Sequence, residues 1–212
     1  MLYLFTALAA AASAEIIDRI ALTANDRVIT ESMLLQQIKL AAFYDNHEPV
    51  ITAEAKRQAA ETLIAQNLLL QEMDNTRYPE PAMTDVLAHW KETLLGRFAS
   101  EEAYRKDLVR RGLDHDEVLR FLQLMLRSME FIELRFRRGQ QVTAEEVAAS
   151  YEKDFKAQWS RGNPGKPVPA LDDVFEEIEE NLLTLKTDQA SEAWLKEARS
   201  KAKIRFRDKG SP

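Results

Sequence analysis

Gln158–Asp172 reads QWSRGNPGKPVPALD, with long, charged, helix-like sequence on both sides. Three prolines and two glycines fall in that span. Proline has no amide hydrogen to give a helix and forces the residue before it into an extended conformation, so no continuous helix crosses the stretch. Whether the chain divides here or folds back on itself decides the fold. We read 159–171 as a Pro/Gly-rich loop, 15–158 as the helical module before it and 172–207 as the helix and strand that complete the same domain, with 208–212 a tail.

The rest of the 212-residue chain is built for helices. It is 45% hydrophobic and 30% charged, with only six Gly and seven Pro, which suits one globular domain rich in helix formers. Net charge is −6, which argues against nucleic acid as a partner. The charge is unevenly placed, with acids from Asp172 to Glu180 and bases from Lys196 to Arg207, patterns that ordinary solvated helix surface also produces. There is no cysteine, which removes disulfides, thiolate chemistry and Cys-based zinc sites together.

Met1–Ala14, MLYLFTALAAAASA, is an apolar run ending in small residues, the pattern of a secretory leader cut after Ala14. It lacks the usual preceding Lys or Arg, and it is too short to span a bilayer. Export, with no stable membrane insertion after cleavage, is the expectation; an uncleaved anchor or a buried N-terminal segment are the alternatives.

Capping residues and apolar spacing place the elements. Residues 15–30, EIIDRIALTANDRVIT, alternate around Asn25-Asp26 and predict a β-hairpin. Thr30, Thr52 and Ser100 each precede a helical pattern, and Gly112 ends one. Asp114 with Glu117, and Thr143 with Glu146, have capping-box spacing. The 52–74 helix carries leucines around most of its circumference and belongs at the centre of the core. On the helix from His115, residues Phe121, Leu122, Met125, Leu126, Met129, Ile132 and Phe136 share a face about 140° wide. Leu124 and Phe131 lie outside it and need a second contact surface, either another helix (the simpler reading) or a ligand. On the ligand reading, Leu124, Phe131, Met125 and Met129 are the client-binding candidates, although paired methionines more often fill core. Lys203–Phe206, KIRF, has strand alternation, and its only possible partner is the N-terminal hairpin, so the two ends of the chain meet.

Enzyme motifs are missing. His47, His89 and His115 stand in different elements, and no Gly-rich phosphate loop, nucleophile elbow or His-Glu-x-x-His occurs. No catalytic, cofactor-binding or metal-binding residue is assigned and no cofactor is expected.

The order of elements resembles a known family. DRIALTANDRVITESML (18–34) resembles the start of SurA-type periplasmic chaperones, and AAETLIAQNLLLQEM (59–73) is similar to that family's second helix. VTAEEVAASYEKD (142–154) and VFEEIEENLLTLKTDQASEAWLKEARSKAKIRF (174–206) are similar to the segments that leave and close its N-terminal module. The resemblance covers nearly all of the chain after Ala14. It implies a mainly α fold, a SurA N-terminal-like helical chaperone core with a small hairpin joined by the C-terminal strand. In that family one or two parvulin prolyl-isomerase domains usually sit where this chain has only its Pro/Gly-rich loop. The resemblance therefore implies a periplasmic chaperone of a Gram-negative-type envelope, binding unfolded exported polypeptides, outer-membrane protein precursors among them, through an apolar helical cradle and without catalysis. The alternatives are a peptidyl-prolyl isomerase of the same family and a non-catalytic helical adaptor.

Overall fold

The computed structural model describes residues 18–207. The expected leader at 1–14 and tail at 208–212 lie outside the described residues. The fold is mainly helical, with one small antiparallel sheet, as composition and capping predict.

Strands β1 (Ile20–Ala24) and β2 (Arg27–Thr30) form the hairpin, with Asn25 at φ 53° in its turn. Asparagine tolerates this left-handed conformation better than most residues. Strand β3 (Ile204–Phe206) pairs with the other edge of β1, giving the order β2-β1-β3. The closing strand therefore meets the opening one. Asn25 fastens the junction twice, donating its backbone N–H to the Lys203 carbonyl and accepting from the Lys203 N–H.

Eight helices follow the hairpin and fill the space before β3. α1 (Glu31–Tyr44), α2 (Ala53–Asn75) and α4 (Glu101–Arg111) start on the side-chain oxygens of Thr30, Thr52 and Ser100. α3 (Met83–Thr93) leads into a 3-10 turn at Leu95–Arg97. α4 ends at Gly112, whose φ of 63° is costly for any residue with a Cβ. α5 (His115–Phe136) and α6 (Ala144–Ser150) both open with a complete capping box.

A π-helical turn, Tyr151–Phe155, joins α6 to α7 (Lys156–Gly162), so the helix runs past Trp159 and the loop is 163–170, shorter than the sequence suggests. Two aromatic side chains pin it: Tyr151 Oη donates to the Pro169 carbonyl at 2.6 Å and Trp159 Nε1 to the Pro167 carbonyl at 3.0 Å. Gly165, at φ 82°, supplies the left-handed residue of the turn. The loop thereby reverses the chain so that α8 (Leu171–Lys201) packs Val174 and Ile178 against Val147 and Tyr151. The Pro/Gly stretch is the turn of a helical hairpin.

Long helices link the apolar clusters. The sheet, the first half of α1 and α2 form one around Leu22, Ile29, Leu34 and Ile64. A second gathers Phe43, Trp90, Tyr104 and Leu122 from α1, α3, α4 and α5. A third joins Leu69 and Met73 of α2 to Phe131 of α5, with Trp194 of α8 packed on it. α2 therefore serves two clusters, as its leucine-rich circumference predicts. α8 buries two hydroxyl residues, Thr187 and Ser191, which bond to the carbonyls of Leu183 and Asp188 in their own helix. Satisfied this way, they can sit in the core without an unpaired polar atom.

Candidate functional site

α1 and α5 meet at one end, where the rings of Tyr44 and Phe121 lie 6.0 Å apart, and Leu40 and Leu122 join the same cluster. Toward the start of α1 a groove of 470 Å3 opens between α1, α2 and α5. That volume falls within the roughly 300–1,000 Å3 typical of ligand sites. Met33 and Leu40 of α1, Leu63 of α2, and Phe121 and Leu124 of α5 supply its apolar surface. The spacing is helical: Met33, Gln36, Gln37 and Leu40 fall on one side of α1, and Glu117, Arg120, Phe121 and Leu124 on one side of α5. Ser32, Gln36, Gln37 and Gln66 give it an uncharged polar edge. Glu117 is engaged in the α5 cap, accepting the Asp114 N–H at 2.9 Å.

The four candidates from the sequence separate. Leu124 is half-buried and lines the groove. Met125 is half-buried too, but packs against the Phe43–Trp90–Leu122 cluster. Met129 is 59% exposed on the next turn. Phe131 is only 3% exposed. Its ring lies edge-on to Tyr78 at 5.1 Å, with Leu69, Met73 and Trp194 around it and the Arg135 guanidinium 6.0 Å away. Its second contact surface is protein, and Phe131 is corrected from client-binding candidate to core residue. Sequence reasoning missed Met33, Gln36, Leu63 and Gln66: Leu63 reads as core in a leucine-rich helix, and nothing in the spacing of the other three marks an open groove. It placed Phe121 on a buried face, whereas that ring forms the closed end of the groove.

A second depression, of 670 Å3, lies beside the C-terminal end of α5. Leu134 and Leu183 contribute to it, but Glu133 and Arg137 are paired with each other and Arg137 also with Glu180. The hydrogen bond from Arg137 holds the Glu180 carboxyl below its ordinary pKa. Its rim is charged, with Glu130 and Arg138 beside the paired ions, and it offers less apolar surface than the first groove.

Each histidine has a hydrogen-bond partner within the protein. His115 Nδ1 lies 3.0 Å from the Tyr104 hydroxyl, His89 Nε2 lies 3.4 Å from that of Tyr44, and His47 Nδ1 is 3.0 Å from the Glu48 carbonyl. Burial pushes the Tyr104 hydroxyl up to a pKa of about 12. Among the described residues no cluster of His, Asp or Glu is arranged to hold a metal ion. No helix among them is long and apolar enough to cross a membrane. No protein-family model matches the chain, and no curated protein matches it.

Proposed function

We propose that this protein is a non-catalytic chaperone of exported proteins that holds unfolded polypeptide in the groove between α1, α2 and α5. The observation that carries the reading is the groove itself: an open surface on which Met33, Leu63, Phe121 and Leu124 are presented with no covering element among the described residues. The unbranched Met33 side chain adapts its shape to different partners, which favours a mixed set of clients over one ligand.

The energetics fit transient holding. Each 100 Å2 of apolar client surface covered contributes about 2.5 kcal/mol. Ordering each client residue costs ~1–2 kcal/mol, so the net affinity is modest. The periplasm as its location and outer-membrane barrel precursors as its clients follow from the family resemblance, and both belong to this proposal.

The test is suppression of aggregation of an unfolded outer-membrane barrel diluted from urea. The wild-type protein is expected to suppress it at near-stoichiometric amounts, and Leu124→Asp to lose the effect while remaining folded. Added at catalytic amounts to a proline-limited refolding reaction, the wild-type protein is expected to leave the rate unchanged. Failure to suppress aggregation would favour an adaptor role, and a clear acceleration of refolding would overturn the non-catalytic reading.

A further inference from the structure

The groove has an apolar floor, but within its α1 wall stands an amide with nothing to bond. Gln36 Nε2 is shielded from solvent and has no hydrogen-bond partner among the described residues. Gln36 lies three residues after Met33 and four before Leu40, so the amide sits between the two apolar side chains of that wall. A buried, unpaired amide donor is costly and uncommon in folded proteins, and it asks for an acceptor.

The chemistry of the occupant follows from what satisfies both parts of the wall. A hydrocarbon chain would cover Met33, Leu63 and Leu124 and leave the amide as it was. A small anion could pair with Arg120, but it would leave the apolar floor uncovered and lie beside the Glu117 carboxylate, which is engaged by the Asp114 N–H. An extended polypeptide answers both demands, sending alternate side chains toward the floor and a carbonyl and an N–H to the side at every residue. A primary amide offers a donor and an acceptor, and a peptide group offers the complementary pair, so the match holds for either orientation of the glutamine. The terminal torsion of glutamine is broad, which lets the amide turn toward an acceptor entering the groove. Gln37 and Gln66 put more of the same chemistry along the edge.

We infer that the groove recognises the main chain of an extended, apolar polypeptide segment, with the Gln36 amide hydrogen-bonded to a client peptide group. The inference rests on the chaperone reading and adds the means of holding: Gln36 reads the backbone, which every client shares, while the floor takes whatever apolar side chains the sequence provides.

The experiment compares two fluorescein-labelled probes with identical side chains, a peptide of alternating leucine and serine and its depsipeptide twin. Esters in the twin remove the backbone N–H groups and weaken the carbonyl acceptors. Wild-type protein is expected to bind the peptide about three- to tenfold more tightly than the depsipeptide, the worth of one net hydrogen bond. Gln36→Leu is expected to lose most of that preference and to melt no lower than wild type, since it deletes an unpaired donor. Equal affinity of the wild-type protein for both probes overturns the main-chain inference and leaves the chaperone reading standing. No binding of either probe by wild type overturns the chaperone reading and the inference with it. An undiminished peptide preference in Gln36→Leu removes the role from Gln36. Should Gln36→Leu not fold, Gln36→Met carries the same comparison.

Discussion

Leu124 and Phe131 stand seven residues apart on the same side of one helix, and the molecule treats them in opposite ways. Around Phe131, the second half of α2 brings Leu69 and Met73 and α8 brings Trp194, leaving the ring 3% exposed. Around Leu124, α1 has diverged and the side chain faces a groove. Both residues read alike in the sequence because helical periodicity reports which side of a helix a residue occupies. It does not report whether another element crosses that side at that height. The sealed end of α5 therefore serves stability, and the open end is the surface on which binding is proposed.

The sharpest way to break this contrast is to mutate its two ends. Phe131→Ala is expected to destabilise the protein by about 3–5 kcal/mol in urea unfolding, the usual cost of emptying an aromatic site in a core. A loss below about 1 kcal/mol would show that the sealed end is not sealed.

A smaller loss is expected from truncation after Ala202. It removes the partner of β1 and opens the sheet over Leu22 and Ala24, both buried, for a destabilisation on the order of 2–4 kcal/mol. A thermal midpoint unchanged by the truncation would show that the strand does not help hold the cluster behind the groove.

Smaller again is an alkaline effect at the closed end, where Tyr104 packs with Trp90 and His115. The unfolded chain releases the tyrosine proton near pH 10, whereas the folded chain keeps it until about pH 12. Its contribution is thus intact below pH 10 and falls as pH rises from there to about 12. Urea unfolding across that range should show a shallower decline for Tyr104→Phe than for wild type; identical slopes would remove Tyr104 as the cause.

The smallest effect on stability is expected from Leu124→Asp, within about 1 kcal/mol, because the new carboxylate can reach water through the groove. A loss as large as that of Phe131→Ala would mean that the groove is core, and would break the comparison from its other end.

Much of the fold is legible in particular residues. Thr30, Thr52, Ser100, Asp114 with Glu117, and Thr143 with Glu146 begin their helices as their spacing predicts, and Gly112 ends one. The buried set of α5 departs from expectation. A single face from Phe121 to Phe136 fits its periodicity, yet the fully buried residues are Val118, Leu122 and Phe131. The first half of α5 packs on α1, α3 and α4, whereas the second packs on α2 and α8, so the covered side shifts along the helix. The π-helical turn at Tyr151–Phe155 was not legible either. It keeps Tyr151, Phe155 and Trp159 stacked at centroid distances of 5.7 and 5.9 Å, which places two of them to hold the Pro-rich loop.

The sequence by itself determined where the capped helices begin and that the closing strand returns to the hairpin. A cap joins side chain and backbone within three residues, and an edge strand of β1 needs a partner with the matching alternation, so both are settled by chemistry near at hand or by a lack of other choices. Tertiary structure alone decided which apolar side chains are core and which form the groove. That distinction depends on where α1 leaves α5 and where α2 and α8 arrive, and hydrophobic burial has no direction of its own: the same leucine or phenylalanine is satisfied by any neighbour that excludes water.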